Sequence, residues 1–464
     1  MRILLILPAG ENVRVTRQRP RVPKRAMLRF SVLPLTTVAA LTPPEHEVQI
    51  VDENVEALDF SADCDVVGIT LMTALAPRAY EIAREFRARG RVVVGGGFHV
   101  TLCPDEARQH FNAIVVGDAE GAWPALLRDV EAGRLRKIYS SPPTGKVVLS
   151  AQSRWQLLRR NAKHYVTLNA IQATRGCSHG CRYCSVTAFH RRIHRQRPVA
   201  DVVAELEHIA RNFMFVDDNI IAHRAYACEL FRAMTPLRKR WVTQCSIEIA
   251  DDTELLQLAR AAGCRGLFIG VETISAENLT AMDKGFNDSR RYRERLHQIR
   301  CAGIGVVAGI IVGLDRDDVT VFQRTLRFLE WTGVDTVQVN ILTPLPGTPL
   351  FEDFARTGRI RDREWNHYDF RHCVIEPARM SSQELQNGAD WLRAQFYRLD
   401  RILVRFARGI FVIGWIPALL GLKLNLTYRR DNRREQIVGR NPAQAVRVTA
   451  DKVVFGQEAA CVEG

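Results

Sequence analysis

The sequence predicts an α/β protein in three parts: a doubly wound parallel sheet at residues 1–140, a partial (β/α)6 barrel at 165–375 and a mostly helical, basic region at 376–464. Short runs of Val and Ile alternate with amphipathic segments, and this alternation restarts after a stretch that contains Pro and Gly. The composition, with 47% hydrophobic and 25% charged residues, is that of a globular protein. It excludes disordered, collagen-like and disulfide-rich scaffolds.

The cysteine content bears on the cellular location of the protein, whereas the net charge does not identify a binding partner. The 65 Lys and Arg residues against 51 Asp and Glu residues give a net charge of +14, which suits nucleic acid, membrane surfaces or anionic substrates alike. Met1 leads directly into the apolar run Arg2–Leu7, which is too short for a secretory signal, so we expect a cytoplasmic, reducing location. In that compartment a close group among the 11 cysteines indicates a metal site.

Five short apolar runs predict the first sheet. Each is rich in Val and Ile, and helical segments such as Pro77–Arg89 separate them, as parallel βαβ units require. Residues 141–164 then break the pattern and are predicted to be a linker on the surface. The predicted strands are Ile3–Leu7, Val48–Val51, Val66–Thr70, Val92–Gly95 and Ala113–Val116.

Six further apolar runs alternate with helical patterns and predict the barrel. In such a barrel the chemistry lies at the carboxyl ends of the strands. The predicted strands are residues 165–174, 213–217, 242–249, 266–271, 306–314 and 336–343.

Three cysteines follow the first barrel strand with the spacing C-x3-C-x2-C: Cys177, Cys181 and Cys184. Thiolates are the ligands of iron–sulfur clusters, and three of them leave one iron of a cubane cluster open to a substrate or cofactor. The alternatives are a zinc knuckle completed by His179 or His190, or buried thiols grouped by chance. The spacing, the glycine turn and the preceding strand together favour the cluster.

This loop resembles that of the radical S-adenosylmethionine (SAM) superfamily, C-x3-C-x-aromatic-C, and the resemblance extends from residue 165 to about 350. It implies that Cys177, Cys181 and Cys184 hold a [4Fe–4S] cluster whose fourth iron binds SAM. Members of the superfamily contact SAM from the aromatic position of the loop and from the ends of the second to fifth strands. In this chain those positions are Tyr183, Asp217, Asp218, Glu248, Glu272, Gly309, Ile311 and Gly313.

Each of these supporting positions also has a structural alternative. Asp217 and Asp218 suit the cap of a following helix, and the glycines suit close packing. The carboxylates of Glu248 and Glu272 would be costly at strand ends unless they bind something. The usual Glu of the fifth-strand motif falls on Arg316, which leaves that contact open.

The loops after the third to fifth strands of the first sheet are expected to bind a ligand, because parallel sheets bind ligands beyond the carboxyl ends of their strands. Three successive glycines allow a large planar ligand to approach the backbone. The arrangement resembles the Rossmann-like cobalamin-binding domain that precedes the barrel in one radical SAM subfamily, over residues 1 to about 135. The resemblance implies cobalamin contacts from Thr70, Leu71, Met72, Thr73, Gly95, Gly96, Gly97, Phe98, His99, Gly117 and Glu120.

This first domain departs from a better-known cobalamin motif. The D-x-H-x-x-G sequence, which supplies a histidine to cobalt, is missing after the first strand, where Pro8–Asn12 stands instead. His99 is therefore either a loop residue near the nucleotide tail of cobalamin or a structural residue. A similar sheet that binds no cobalamin is the alternative for the whole domain.

Together the two resemblances imply a cobalamin-dependent radical SAM C-methyltransferase that acts on an unactivated carbon of a small-molecule or lipid-like substrate. The alternative with the same cofactors is a ring-forming or rearranging enzyme. RNA methylthiolation is disfavoured, because only Cys64 and Cys103 precede residue 150, and no nucleic-acid partner is expected. A cobalamin sensor or iron–sulfur protein without catalysis is the alternative of another class.

Two basic regions suggest further partners. Residues 409–434 contain a small, apolar run bracketed by basic residues, which is typical of a segment in peripheral contact with a membrane; a segment packed over the barrel is the alternative. The basic residues between Arg14 and Arg29 follow the first strand. They suit an acidic electron donor such as flavodoxin or ferredoxin, cobalamin, or solvent.

Overall fold

The computed structural model describes residues 1–19, 32–140 and 154–438, with the backbone path alone for 433–438. These residues form two parallel sheets, each of six strands, with helices on their faces and a helical segment at the carboxyl end. The described elements confirm the predicted α/β architecture.

The first sheet contains six parallel strands in the order β2-β1-β3-β4-β5-β6. Its order changes direction between β1 and β3, which is where doubly wound sheets bind ligands. The strands are β1 (Arg2–Leu7), β2 (Glu47–Asp52), β3 (Val66–Thr70), β4 (Val92–Gly96), β5 (Ala113–Val116) and β6 (Ile138–Ser140). The helices are α1 (Leu33–Leu41), α2 (Ala76–Ala88), α3 (Phe98–Leu102), α4 (Pro104–His110) and α5 (Ala119–Glu131).

The first sheet differs from the prediction at its carboxyl end. Strand β6 was not predicted, because three residues are too few for a periodic pattern. The described part of the predicted linker at 141–164 has regular structure: residues Trp155–His164 form a 3-10 helix, and Leu158 is buried in the core of the first sheet. Residues 141–153 lie outside the described part of the chain.

The second sheet also contains six parallel strands, in the order β14-β13-β12-β11-β10-β7, and forms the incomplete barrel. Its strands are β7 (Ala170–Ile171), β10 (Asn212–Phe215), β11 (Arg240–Cys245), β12 (Cys264–Glu272), β13 (Gly305–Val312) and β14 (Thr336–Ile341). Its helices are α6 (Ser185–His190), α7 (Val199–Glu207), α8 (Arg224–Met234), α9 (Thr253–Ala261), α10 (Ala276–Ala281), α11 (Tyr292–Cys301) and α12 (Val321–Thr332).

The first barrel strand is much shorter than the predicted 165–174. Only β7 joins the sheet, and the chain then leaves it to form an antiparallel ribbon of β8 (Thr174–Arg175) and β9 (Arg195–Gln196). This ribbon closes the ends of the cysteine loop. The difference from the predicted first strand therefore lies in the segment that leads into the candidate site.

The carboxyl-terminal helices are α13 (Pro349–Arg356), α14 (Ser382–Phe396), α15 (Leu399–Val412) and α16 (Trp415–Val438). A capping box between Ser381 and Glu384 begins α14, and Leu385 and Phe396 of this helix belong to the barrel core. The described helices after residue 376 thus pack on the barrel instead of forming a separate body. None of the helices in the described ranges is both long and apolar enough to span a bilayer.

Candidate active site

The cysteine loop runs from the ribbon strand β8 to helix α6. Gly176 has φ of 82°, and a Cβ atom there would collide with the carbonyl oxygen of Ile193, so only glycine fits at the start of the loop. Cys181 is buried, Cys177 and Cys184 are half-buried, and the amide of Cys184 donates to the carbonyl of Cys181. The three thiols therefore lie on one short, backbone-restrained turn.

The donor set fits a cluster better than a single ion. Among the described residues, no three His, Cys, Asp or Glu side chains converge on a point where one metal ion would sit. A cubane cluster does not require such a point, because each thiolate binds a different iron. His179 lies 3.2 Å from the carboxylate of Glu248, and His190 bonds to Arg195, so neither completes the zinc knuckle that the sequence left open.

Burial raises the pKa of the Cys177 thiol and raises that of Cys181 to about 11. Both are therefore protonated at neutral pH in the cluster-free protein, and iron binding must displace these protons. The side-chain amide of Asn219 lies 3.9 Å from the Cys177 sulfur and donates to it. That donor suits a sulfur that becomes a thiolate.

Two carboxylates, the buried Asp217 and the half-buried Asp218, bind the backbone at the entrance of the loop. Asp217 accepts hydrogen bonds from the backbone and hydroxyl of Thr174, at 2.5 and 2.7 Å, and from the amide of Ala173. Asp218 accepts from the amide of Gly176 at 2.8 Å. Helix α8 begins later and is capped by the ring of His223, so the alternative that the two Asp residues cap it is wrong. Their contact with SAM stays a prediction.

Glu272, Lys284 and Tyr183 form a buried polar trio beside the cysteine loop. Lys284 Nζ lies 2.7 Å from Glu272 Oε1 and 3.2 Å from the Tyr183 hydroxyl oxygen. Glu272 has φ of 66°, where a non-glycine residue is strained, at a register shift between β12 and β13. The ion pair thus holds a strained residue at the strand end.

Lys284 was missed from the sequence, since nothing in its loop distinguishes it from a solvated lysine. The trio borders a small pocket that also faces the fifth barrel strand. The pocket is lined by Tyr183, Glu272, Thr273, Asn278, Leu279, Met282, Lys284, Ile311 and Leu314.

The remaining residues predicted to bind SAM lie just after β11 and within or just after β13. The hydrogen bond with His179 lowers the pKa of Glu248, whose side chain is half-exposed. Gly309 sits where a Cβ atom would be 2.9 Å from the ring of Phe268, and Gly313 has φ of 93°. Close packing, the structural alternative, therefore accounts for both glycines, and a role at SAM stays a prediction.

Asp317 is the buried acid of the loop after β13, where the sequence left the SAM contact open. Its carboxylate is buried and accepts from the amides of Gly313 and Leu314, each at 3.0 Å. Arg316 is exposed and faces Glu277, while Asp315 pairs with Arg359. Asp317 is thus the inward-facing acid of this loop, and it positions the backbone.

The residues predicted to bind cobalamin lie at the carboxyl ends of β3, β4 and β5. Gly97 has φ of 101°, and a Cβ atom there would lie 2.9 Å from the carbonyl of Leu71, so the two loops meet closely. Met72 is 54% exposed, and no atom lies within 4 Å of a Cβ built on Gly117. This open, partly apolar edge fits a large flat ligand. Thr70, Gly95, Gly96 and Phe98 lie along the same edge, partly or wholly buried, and their roles at cobalamin stay predictions.

His99 does not lie at that open edge. Its ring is fully buried, with Nε2 3.1 Å from the Tyr80 hydroxyl and Nδ1 3.4 Å from the Thr73 hydroxyl. Both nitrogens have partners within the protein, and Glu106 bonds to Tyr80 and to Trp365 of the barrel region. The geometry favours the structural role for His99, within a polar cluster that contacts Trp365 of the barrel region.

The carboxyl edges of the two sheets face each other. The guanidinium of Arg175, next to the cysteine loop, lies 3.3 Å from Asp118 and 2.6 Å from Glu120, both beyond β5. Arg195 of the ribbon also pairs with Asp118, and these four side chains are at most 18% exposed. Glu120, expected at cobalamin, is engaged by Arg175.

A ring contact joins the same two edges. Phe98, beyond β4, packs against Phe189 of helix α6 with ring centroids 4.7 Å apart. The loops expected to hold cobalamin therefore border the loop expected to hold the cluster.

Two family models match the chain. The Radical SAM superfamily model matches residues 171–329, and the B12 binding domain model matches residues 29–127. A fold with these two domains, and with a three-cysteine loop at the start of the second, defines a cobalamin-binding radical SAM enzyme.

Relatives with named activities agree with this class. Bacteriochlorophyllide d C-12(1)-methyltransferase of Chlorobaculum tepidum is 30% identical in an alignment of 393 positions that covers 80% of this chain and 84% of the relative. Hopanoid C-2 methylase of Rhodopseudomonas palustris is 29% identical and covers 80% of this chain and 72% of its own length. The chain belongs to this family of radical SAM enzymes, whose cofactors are a [4Fe–4S] cluster, SAM and cobalamin.

A solved structure supports the same fold. The radical SAM methyltransferase TsrM from Kitasatospora setae, with cobalamin and a [4Fe–4S] cluster bound, has a TM-score of 0.65 at 16% identity. It covers 94% of this chain and 99% of its own.

Proposed function

We propose that the protein transfers a methyl group to an unactivated carbon of a small apolar substrate. The observation that carries this proposal is the meeting of the two carboxyl edges through Arg175, Asp118 and Glu120. Methyl transfer from cobalt requires that both cofactor sites border one substrate space. The relatives named above act on a bacteriochlorophyllide and on a hopanoid, which supports a polycyclic, apolar substrate.

The residues of this chain would divide the work as follows. Cys177, Cys181 and Cys184 would hold the cluster, and the Glu272–Lys284 pair would present fixed charge beside it. When bound, the cluster and SAM supply a carbon-centred radical, and cobalamin carries the methyl group. The buried ion pairs and Phe98 would exclude water from the space between the sheets.

We propose an acidic electron-carrying protein, such as flavodoxin or ferredoxin, as the reductant. Arg14, Arg17 and Arg19 follow β1 at the carboxyl edge of the first sheet, and Arg17 is 73% exposed in its side chain. The rest of the predicted basic loop, residues 20–29, lies outside the described chain. The predicted membrane contact at 409–434 concerns a different surface and does not depend on this chemistry.

The test is anaerobic reconstitution of the full chain with iron, sulfide and hydroxocobalamin, followed by cofactor analysis. We expect cobalamin and iron in the wild type, but cobalamin alone in a Cys177→Ala, Cys181→Ala, Cys184→Ala variant. Cys301→Ala, which removes an exposed thiol far from the loop in sequence, is the matched control and should keep both cofactors.

The activity assay then adds SAM, a reductant, and tetrapyrrole or triterpenoid substrates. A product heavier by one methyl group is expected from the wild type and not from the triple variant. Iron without cobalamin, even in excess hydroxocobalamin, would contradict methyl transfer through cobalt. A product altered without an added methyl group would favour ring formation.

A further inference from the structure

Helices α15 and α16 form a hairpin whose inner face packs on the barrel. Gly414, with φ of 84° and open space around it, makes the turn between them. Inside the hairpin, a Cβ built on Gly409 would contact Ala418 at 3.4 Å. Asn425 donates to the carbonyl of Asp335 at 2.8 Å, which ties the hairpin to the start of β14.

The outer face of this hairpin carries large apolar side chains from Leu399 to Leu426. On α15 the exposed residues recur at the spacing of one helical face, and the same holds for α16. At the turn, Phe411 is 89% exposed and Trp415 is 59% exposed. The exposed large apolar residues of this face are Leu399, Leu403, Val404, Phe411, Trp415, Ile416, Leu419 and Leu426.

Such a face is not an ordinary surface. Single exposed apolar residues are common, but eight of them on two adjacent helices mark a binding surface. Phe and Trp at the tip are side chains that enter the boundary between lipid headgroups and acyl chains.

The positive charge of the hairpin favours an anionic lipid surface over a second copy of the chain as the partner. Residues 399–432 contain six Arg and Lys residues against Asp400 and Asp431, and Asp431 is buried. Arg408, Lys423 and Arg430 are exposed beside the apolar face. A second copy of the chain, paired face to face, would bring these cations against their own duplicates, whereas anionic headgroups would neutralise them.

The hairpin lies away from the cysteine loop. Pro417 lies 3.6 Å from a Cβ built on Gly305, the first residue of β13, and Asn425 contacts the residues at the start of β14. The cysteine loop lies at the carboxyl end of the barrel strands, whereas the hairpin lies at their amino end. A strand of the length of β13 separates these two ends by about 26 Å. A surface bound by the hairpin would therefore leave the loops of the site uncovered.

We propose that the outer face of the α15–α16 hairpin binds the surface of an anionic lipid bilayer, with Phe411 and Trp415 inserted at the tip. The hairpin anchors the amino end of the barrel, and the catalytic edge faces away from the lipid. This inference does not depend on which reaction the enzyme performs.

The test is co-sedimentation of the full chain with vesicles of phosphatidylcholine, with and without phosphatidylglycerol. We expect binding to the anionic vesicles, weakened by salt, and a reduction of about 10-fold or more in Phe411→Ser/Trp415→Ser, because two large apolar side chains leave the lipid. Trp331→Ser is the matched control, since Trp331 is 58% exposed on helix α12 and should not affect binding.

Three outcomes would overturn the proposal. The wild type stays in the supernatant with both kinds of vesicle, or the double variant sediments as well as the wild type. The third is a dimer, seen by light scattering without vesicle binding, that the double variant converts to a monomer, which assigns the face to a second copy. Circular dichroism melting of each variant establishes that a loss of binding is not a loss of fold.

Discussion

Asp317 is 4% exposed, and one of its carboxylate oxygens accepts from two backbone amides while the other accepts from Asn278 at 2.9 Å. Burial raises the pKa of this carboxyl from 3.8 to about 6, although the amides oppose the rise. Because the folded-state pKa lies above the ordinary value, Asp317 contributes stability below about pH 4 that is lost as the pH rises through about 6.

We expect Asp317→Asn to destabilise the cofactor-free protein by about 2 kcal/mol at pH 5, since the Asn amide would face the amide of Asn278. At pH 8 the cost should be about 1 kcal/mol smaller, because only the wild type loses stability as the pH rises. Urea denaturation at the two pH values measures this difference. An equal cost at both would contradict the raised pKa.

For individual residues, the sequence predicted which side chains lie at the site more often than it predicted what they contact. Asp217 and Asp218 were predicted as SAM contacts or helix caps, yet both carboxylates bind backbone amides at the entrance of the cysteine loop. Lys284 was not predicted, because its burial depends on an ion pair with Glu272, which lies 12 residues earlier in the chain and on a different element. Side-chain partners of this kind depend on tertiary contacts that a local pattern does not encode.

The cysteine loop is an element whose geometry depends on one glycine. Gly176 combines a φ of 82° with direct contact against the backbone of Ile193. Gly90, at the end of helix α2, has a similar φ of 74° but no atom within 4 Å of a Cβ placed there. Substitution of each glycine by alanine therefore distinguishes the effect of a left-handed backbone from the effect of steric crowding.

We expect Gly176→Ala to lose most of the iron that the wild type retains after reconstitution, because the methyl group forces the ribbon apart. Gly90→Ala should lower the free energy of unfolding by only about 1 kcal/mol, the usual cost of a left-handed alanine. The Gly90→Ala protein should therefore retain its iron. Iron analysis after gel filtration tests both. Equal iron in the two variants would show that the ribbon yields without disturbing the cysteines.

Most elements could be predicted from the sequence, since Val- and Ile-rich runs mark buried parallel strands clearly. The errors lie where an element is short or its pairing is non-local. β6 has three residues, and β7 has two because the chain turns out of the sheet to pair β8 with β9. The 3-10 helix Trp155–His164 carries mostly polar residues, and only packing of Leu158 reveals its place.

On the scale of the whole molecule, the two sheets are joined at their ligand-binding edges by buried charge. Burial alone would raise the pKa of Asp118, but Arg195 and Arg175 outweigh it and lower the pKa of this carboxyl below its ordinary value. The contact thus depends on ionised groups with little access to water. The sequence did not indicate this contact, because Asp118, Arg175 and Arg195 resemble ordinary surface charges and Glu120 was predicted to bind cobalamin.

We expect Asp118→Asn to weaken this contact by about 3 kcal/mol, because it leaves two buried guanidinium groups short of a counter-charge. Amide hydrogen exchange at residues 170–177 and 117–120 should rise in the variant. Asp129→Asn is the matched control, since Asp129 pairs with two arginines inside the first domain. Exchange that rises equally in both variants would indicate general destabilisation instead.

Arg175 is bonded to the loop beyond β5 and is followed in the chain by the first residues of the cysteine loop. We therefore expect a ligand that orders one of these loops to favour order in the other, and such linkage is reciprocal by thermodynamic necessity. The supply of one cofactor should then govern how firmly the protein keeps the other. Enzyme made in a cell that lacks vitamin B12 would then also lose its iron more readily. A shortage of cobalt would therefore lower the iron content of the enzyme as well.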